Sequence, residues 1–115
     1  KEVEVVTKSQ AVLIASPSLP LEQQHILERI LFRINAVRKG SENKYILLNA
    51  PNASVSAISA LLPGMKSPTI LPLAEDGWSS LHSVVREDEF WDVIDELKQL
   101  GAQGILVLPI EKMIL

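Results

Sequence analysis

Cysteine is absent from the 115 residues. That removes disulfide frameworks and thiolate metal sites, and the thiol inventory gives no pointer to an oxidising compartment. Aromatic residues make up only 4% of the chain, so aliphatic packing has to fill the core. No run approaches the roughly 18 apolar residues of a membrane span, and no basic stretch leads into an apolar leader, which predicts a soluble cytoplasmic protein. An excess of basic charge is missing too. Eleven Lys and Arg stand against fourteen Asp and Glu, a net charge of −3, and the signs are interspersed. This argues against a polyanion-binding surface, and without a basic stripe interleaved with aromatics there is no case for nucleic acid.

What is present is apolar material. With 47% hydrophobic residues the chain can build a real core, and disorder is not its dominant state. Its length suits one ordinary domain, or a domain of about 70 residues with an appendage. The chain opens at Lys1 directly into Val3, Val5 and Val6, as expected of a piece cut from a longer polypeptide.

Hydrophobic period divides the chain into elements. Glu2-Val3-Glu4-Val5 alternates and Ala11-Val12-Leu13-Ile14-Ala15 is a second apolar run, which predicts an N-terminal pair of short strands. Ser16-Pro17-Ser18-Leu19-Pro20 stops them. From Leu21 to about Arg38, Ile26, Leu27, Ile30, Leu31, Ile34 and Val37 recur at three- and four-residue steps, an amphipathic linking helix. Gly40-Ser41-Glu42-Asn43 ends it and divides the chain into residues 1–42 and 43–115. The second part then reads as strand (Tyr45-Ile46-Leu47-Leu48), short helix (Val55, Ile58, Leu61, Leu62), strand (Thr69-Ile70-Leu71), strand (Trp78 to Val85), helix (Asp88 to Leu100, buried stripe Phe90, Trp91, Ile94, Leu97, Leu100) and strand (Ile105 to Leu108). Ser79, Ser80 and Ser83 blur the third strand, which predicts a sheet edge or a face turned to a ligand or partner. Gly101 suits a left-handed helix cap. The order β-α-β-β-α-β gives an α/β (α+β) class fold, with a four-stranded antiparallel sheet carrying both helices on one face. The uncovered face predicts association with another copy.

Chemistry-bearing groups are sparse. His25 and His82 are the only histidines and have no metal-ligand spacing, so a zinc site is unsupported. Ser80 and His82 share a strand face, but no third orienting group and no strained nucleophile turn accompany them. Glu75-Asp76, Glu87-Asp88-Glu89 and Asp92-Asp95-Glu96 read as solvated turns and helix surfaces, because calcium-loop spacing is missing. Gly101-Ala102-Gln103-Gly104 follows a helix instead of opening one, the wrong context for phosphate. What remains is a binding surface at the sheet ends: Asn49, Met65, Ser67, Thr69, His82, Val84 and Gly104. Their small polar groups suit the ammonium and carboxylate of an amino acid.

Tyr45-Ile46-Leu47-Leu48-Asn49-Ala50-Pro51, Leu61-Leu62-Pro63-Gly64-Met65-Lys66-Ser67-Pro68-Thr69-Ile70-Leu71-Pro72-Leu73, Gly77-Trp78, His82-Ser83-Val84-Val85 and the stretch from Gly101 through Met113 resemble the carboxy-terminal domain of the long form of ATP phosphoribosyltransferase. The likeness runs from Lys44 to Leu115, and its most specific part is the Pro-Gly-x-x-Ser-Pro-Thr run. Residues 1–42 resemble, less distinctively, the end of the catalytic portion and the helix leading out of it. The resemblance implies a ferredoxin-like regulatory domain, packed with its copies about a threefold axis within a hexamer and binding histidine between subunits for feedback inhibition. It implies a parent enzyme, a glycosyltransferase using magnesium, that joins ATP to phosphoribosyl pyrophosphate in the first committed step of histidine biosynthesis. The family's effector pocket falls on Asn49, Met65, Ser67, Thr69, Val84 and Gly104. Other members can carry aspartate at position 49 and alanine at 104. The fragment contains no phosphoribosyl-pyrophosphate loop, so neither catalytic residues nor a metal are expected in it, and alone it is expected to be inactive. The alternatives are a purely structural trimerisation domain and a freestanding small-molecule sensor.

Overall fold

The computed structural model describes residues 4–115. Pro20, with φ −57° and ψ 152°, stands immediately before α1 (Leu21–Glu42), where its missing N–H leaves no donor unpaired. The helix runs one turn beyond the expected Arg38. Its end is capped by Asn43, whose backbone N–H reaches the Gly40 carbonyl and whose side-chain amide donates to the Lys39 carbonyl at 2.8 Å. Asn43 itself is extended, so helix passes into strand without a loop.

The strands and helices that follow are β1 (Asn43–Pro51), α2 (Val55–Leu61), β2 (Thr69–Pro72), β3 (Trp78–Arg86), α3 (Glu87–Gln99) and β4 (Gln103–Pro109). They form one four-stranded sheet in the order β2-β3-β1-β4, antiparallel throughout. This is the expected ferredoxin-like sandwich. Ile46, Leu48 and Ala50 from β1 with Leu81 and Val85 from β3 meet Ile58 and Leu62 around α2 and Leu97 of α3 in one core. Alternation puts these strand residues on one face. At the end of α3, Gly101 takes φ +87°. The Ala102 N–H then reaches the Leu97 carbonyl and the Gly101 N–H the Lys98 carbonyl, both at 3.0 Å. This pair of bonds is the Schellman pattern, which only a residue free to adopt a left-handed backbone closes without strain.

Three expectations are corrected. Residues 4–15 form no strand, and the Glu2-Val3 part of that reading lies outside the described residues. A strand exists only where a neighbour completes its hydrogen bonds; β-branched composition supplies none, and among the described residues this segment has no partner. The serines of β3 do not mark an edge, because β3 lies between β2 and β1. Ser79, Ser80 and Ser83 are buried, each hydroxyl being used locally: Ser79 donates to Asn52 Oδ1 at 2.7 Å, Ser83 to the Leu62 carbonyl at 3.1 Å. Finally, Trp91 is 71% exposed, while Val93 joins Phe90, Leu97 and Leu100 against the core. Steps of three and four residues from Leu97 reach Leu100, Val93 and Phe90; Trp91 lies off that line.

An ion-pair cluster ties the start of α3 to the sheet. Arg86 grips Asp88 with Nε to Oδ1 at 3.0 Å and a second bond to Oδ2 at 2.6 Å, and Lys44 Nζ meets Glu87 at 2.9 Å. The hydrogen bonds from Arg86 hold the Asp88 carboxyl below its ordinary value. A depressed carboxyl pKa adds stability at pH values above the unfolded-state pKa, and that contribution disappears as pH falls through the folded-state value. The pair is exposed, so the effect is small. Asp88→Asn should therefore lower the urea midpoint slightly at neutral pH, with the difference from the parent chain shrinking as pH falls below the ordinary carboxylate range of about 4.

Candidate functional site

The sheet face opposite the helices is uncovered by any described element. Tyr45, Leu47 and Asn49 of β1 stand in register with Val84, His82 and Ser80 of β3. Thr69 and Leu71 of β2 lie opposite His82 and Ser80, and Leu106 and Leu108 of β4 opposite Leu47 and Tyr45. Leu71 is 50% and Leu106 56% exposed.

Near the β2 side this face holds a shallow hollow of about 140 Å³ lined by Tyr45, Gly64, Met65, Ser67, Thr69, His82, Ser83 and Val84. The turn after α2 forms its rim, and Gly64 with φ +59° makes that turn. Four of the six residues that the family resemblance assigns to the effector pocket, Met65, Ser67, Thr69 and Val84, therefore meet in one place. Asn49 and Gly104 do not join them. They lie near each other between β1 and β4, where the pairing shifts register after Leu47. A β-carbon placed on Gly104 would sit 3.8 Å from the Asn49 side-chain nitrogen, so there is room for one, although φ is +57° there. Thr69 lies on the far side of β3 from Asn49, since β3 separates β2 from β1.

Between the two groups runs a hydrogen-bonded chain. Tyr45 Oη is 2.6 Å from His82 Nδ1, and His82 Nε2 is 3.2 Å from Ser80 Oγ, which itself lies 3.4 Å from the Leu48 carbonyl. With Ser80 donating to that carbonyl, Nε2–H donates to Ser80 and the tyrosine hydroxyl to Nδ1, so that both ring nitrogens have a partner. The rings meet edge to face at 5.8 Å. Tyr45 and Gly64 were not among the residues singled out from sequence. Alternation along β1 puts Tyr45 with Leu47 and Asn49, but only the β1–β3 register reveals that it reaches His82. The geometry gives the Ser80–His82 pair no support as a nucleophile and base. Ser80 is buried and turned to the backbone, and the outer ring nitrogen of His82 is held by a phenol instead of a carboxylate.

A family model described as "HisG, C-terminal domain" matches residues 41–112. The chain belongs to that family. Among its curated relatives are proteins named ATP phosphoribosyltransferase from Cytophaga hutchinsonii, 55% identical over 114 residues, Bacteroides thetaiotaomicron, 57% identical over 114 residues, and Phocaeicola vulgatus, 56% identical over 115 residues. Each alignment takes in 99% to 100% of this chain, and the chain spans only 40% to 41% of each relative.

In this HisG C-terminal domain no three His, Asp or Glu side chains converge among the described residues. His25 is exposed on α1 beside Glu28, and Glu75 and Asp76 lie in an exposed turn. The donors among the described residues do not fit a magnesium ion. No described helix is long and apolar enough to cross a membrane.

Proposed function

We propose that this chain is the regulatory end of an ATP phosphoribosyltransferase. On this reading residues 43–115 bind histidine as feedback inhibitor and pack with copies of themselves. Residues 1–42 are the end of the catalytic portion with its connecting helix. The parent joins ATP to phosphoribosyl pyrophosphate with magnesium in the cytoplasm, and this chain alone is inactive.

The observation that carries the proposal is the splitting of the six residues into two groups on one bare face. Met65, Ser67, Thr69 and Val84 line the hollow on the β2 side, whereas Asn49 and Gly104 sit towards β4. A hollow of about 140 Å³ falls short of the roughly 300 Å³ at which ligand pockets begin. A second copy laid with its β4 side over the β2 side of the first would close the hollow and bring the two groups together. Repeated head to tail, such a contact forms a ring where its rotation closes, and a closing rotation of a third of a turn would give the threefold packing within a hexamer. Ser67 and Thr69 then offer hydroxyls to the ligand carboxylate, and the Asn49 side-chain oxygen accepts from its ammonium. A charge-assisted bond contributes about 1.5–3 kcal/mol.

A second reading, a purely structural trimerisation surface, draws support from the exposed Leu71, Leu106 and Leu108, which suit dry packing between copies. Calorimetry of histidine binding to the full-length enzyme separates the two. The effector reading expects saturable heat, weakened about 10- to 100-fold by Ser67→Ala with Thr69→Val, with the oligomer intact by sedimentation. No saturable heat at millimolar histidine, or loss of assembly in the variant with unchanged affinity per assembled site, would favour the structural reading.

A further inference from the structure

Gly40 lies inside the last turn of α1, where glycine is a poor helix former and no left-handed backbone calls for it. Space calls for it instead. A β-carbon there would stand 2.7 Å from the Ile110 carbonyl oxygen and 2.9 Å from the carbonyl carbon of Glu111, closer than a β-carbon approaches either atom. One turn earlier Ala36 is only 6% exposed, and its carbonyl accepts the Met113 N–H at 2.8 Å. The segment after β4 therefore lies along a seat made by Ala36 and Gly40. Phe32 and Lys39 flank the seat and share a hollow with Met113, Ile114 and Leu115.

This seat is a second place that fixes α1. The first is covalent, the loopless passage from Glu42 into Asn43. The radius of gyration is 19.8 Å, against about 13 Å for a compact domain of this length, because α1 and the residues before it project from the sheet. A helix of about 33 Å held at one end alone would pivot, and two points of attachment give it a direction. The strap begins where β4 ends, at Pro109, and β4 begins beside Asn49, at Gln103 and Gly104. One strand thus joins the candidate effector residues to the seat on α1.

We infer that Ile110–Leu115 is a strap that fixes the direction of α1 and carries the state of the β4 end of the effector site to it, with Gly40 the residue that lets the strap seat. The inference rests on the effector reading for its consequence, inhibition, but not for the strap itself. A ligand seated at Asn49 and Gly104 biases the position of β4, the strap follows, and α1 turns about the Glu42–Asn43 junction. With the strap lifted, histidine still binds while its message stops at Pro109.

The test uses the full-length enzyme in three forms: unaltered, Gly40→Val, and truncated by deletion of Ile110–Leu115, which removes the strap without adding atoms. Three quantities are read: histidine affinity by calorimetry, the histidine concentration that halves pyrophosphate release, and amide hydrogen exchange along residues 21–42. Both variants are expected to keep basal turnover and bind histidine within about threefold of the unaltered enzyme. They should need at least tenfold more histidine for half inhibition and exchange faster at α1. Unchanged α1 exchange in the truncated chain overturns the strap, as does normal inhibition in a chain whose α1 exchanges faster. If the unaltered enzyme gives no histidine heat, the effector reading falls by itself. The α1 exchange then decides the strap alone, faster exchange in the truncated chain upholding it and unchanged exchange ending it.

Discussion

Leu48→Ala should lower the stability of the fold by about 2–5 kcal/mol, the range for a large-to-small change at a fully buried site. Leu48 is 0% exposed at the middle of β1, an interior strand of the sheet. It stands opposite Leu81 on β3 and shares the core with Ile58 and Leu97 from the two helices. The neighbours belong to three different elements, and none can close over the void without dragging its own strand or helix out of register. The loss therefore belongs towards the upper half of the range. In urea the midpoint should fall by roughly 1–3 M with an unchanged slope. A midpoint within 0.5 M (about 1 kcal/mol) of the parent would show that the sheet and helices are not held by this shared core.

Gly64→Ala should cost about 2–5 kcal/mol and damage the candidate effector hollow as well. The left-handed backbone at φ +59° penalises any L side chain by about 1–2 kcal/mol. The new β-carbon would also fall 2.6 Å from Ser83 Oγ, the hydroxyl that satisfies the Leu62 carbonyl. Moving it leaves two buried polar groups without partners, about 1–3 kcal/mol more. Because Gly64, Met65 and Ser67 share the rim of the hollow, relaxation of the turn displaces the residues proposed to hold the ligand. A second substitution checks the physical account. Ser83→Ala removes the obstructing hydroxyl, so the double variant should be more stable than the two separate losses imply, by about 1 kcal/mol. Simple additivity would mean that backbone conformation alone, not the contact with Ser83, penalises residue 64.

Much of the fold could be read from local pattern. The stripe on α3, the apolar run of β1 and the breaks at Pro63-Gly64 and Gly77 gave the βαββαβ order, because side-chain period and turn chemistry are properties of neighbouring residues. Gly101 could be read the same way, as a glycine immediately past an apolar stripe. Apart from Trp91, which the helical period itself places off the buried stripe, the errors share one cause, which is that neighbours across space are not written in neighbours along the chain. Residues 11–15 have strand composition without a strand partner. The β3 serines look polar enough for an edge, yet they sit inside the sheet because Leu62, Asn52 and Leu48 supply their hydrogen bonds. Gly40 looks like a helix stop and is instead helical, admitted because the segment after β4 crosses there.

The candidate site divides along the same line. Resemblance to a family names six residues one at a time, and the identity of the chain as a HisG C-terminal domain rests on that likeness of sequence. Which residues stand together is a matter of register. Pairing of β1 with β3 joins Tyr45 to His82, and β3 keeps Thr69 apart from Asn49. Sequence alone therefore determined the elements, their order and the family, since these follow from residue type and local spacing. Only the tertiary structure decided that the six residues form two separate groups on one bare face, and that the last residues bind α1. Both depend on contacts between segments far apart in the chain, where hydrogen-bond register and close packing choose the partners.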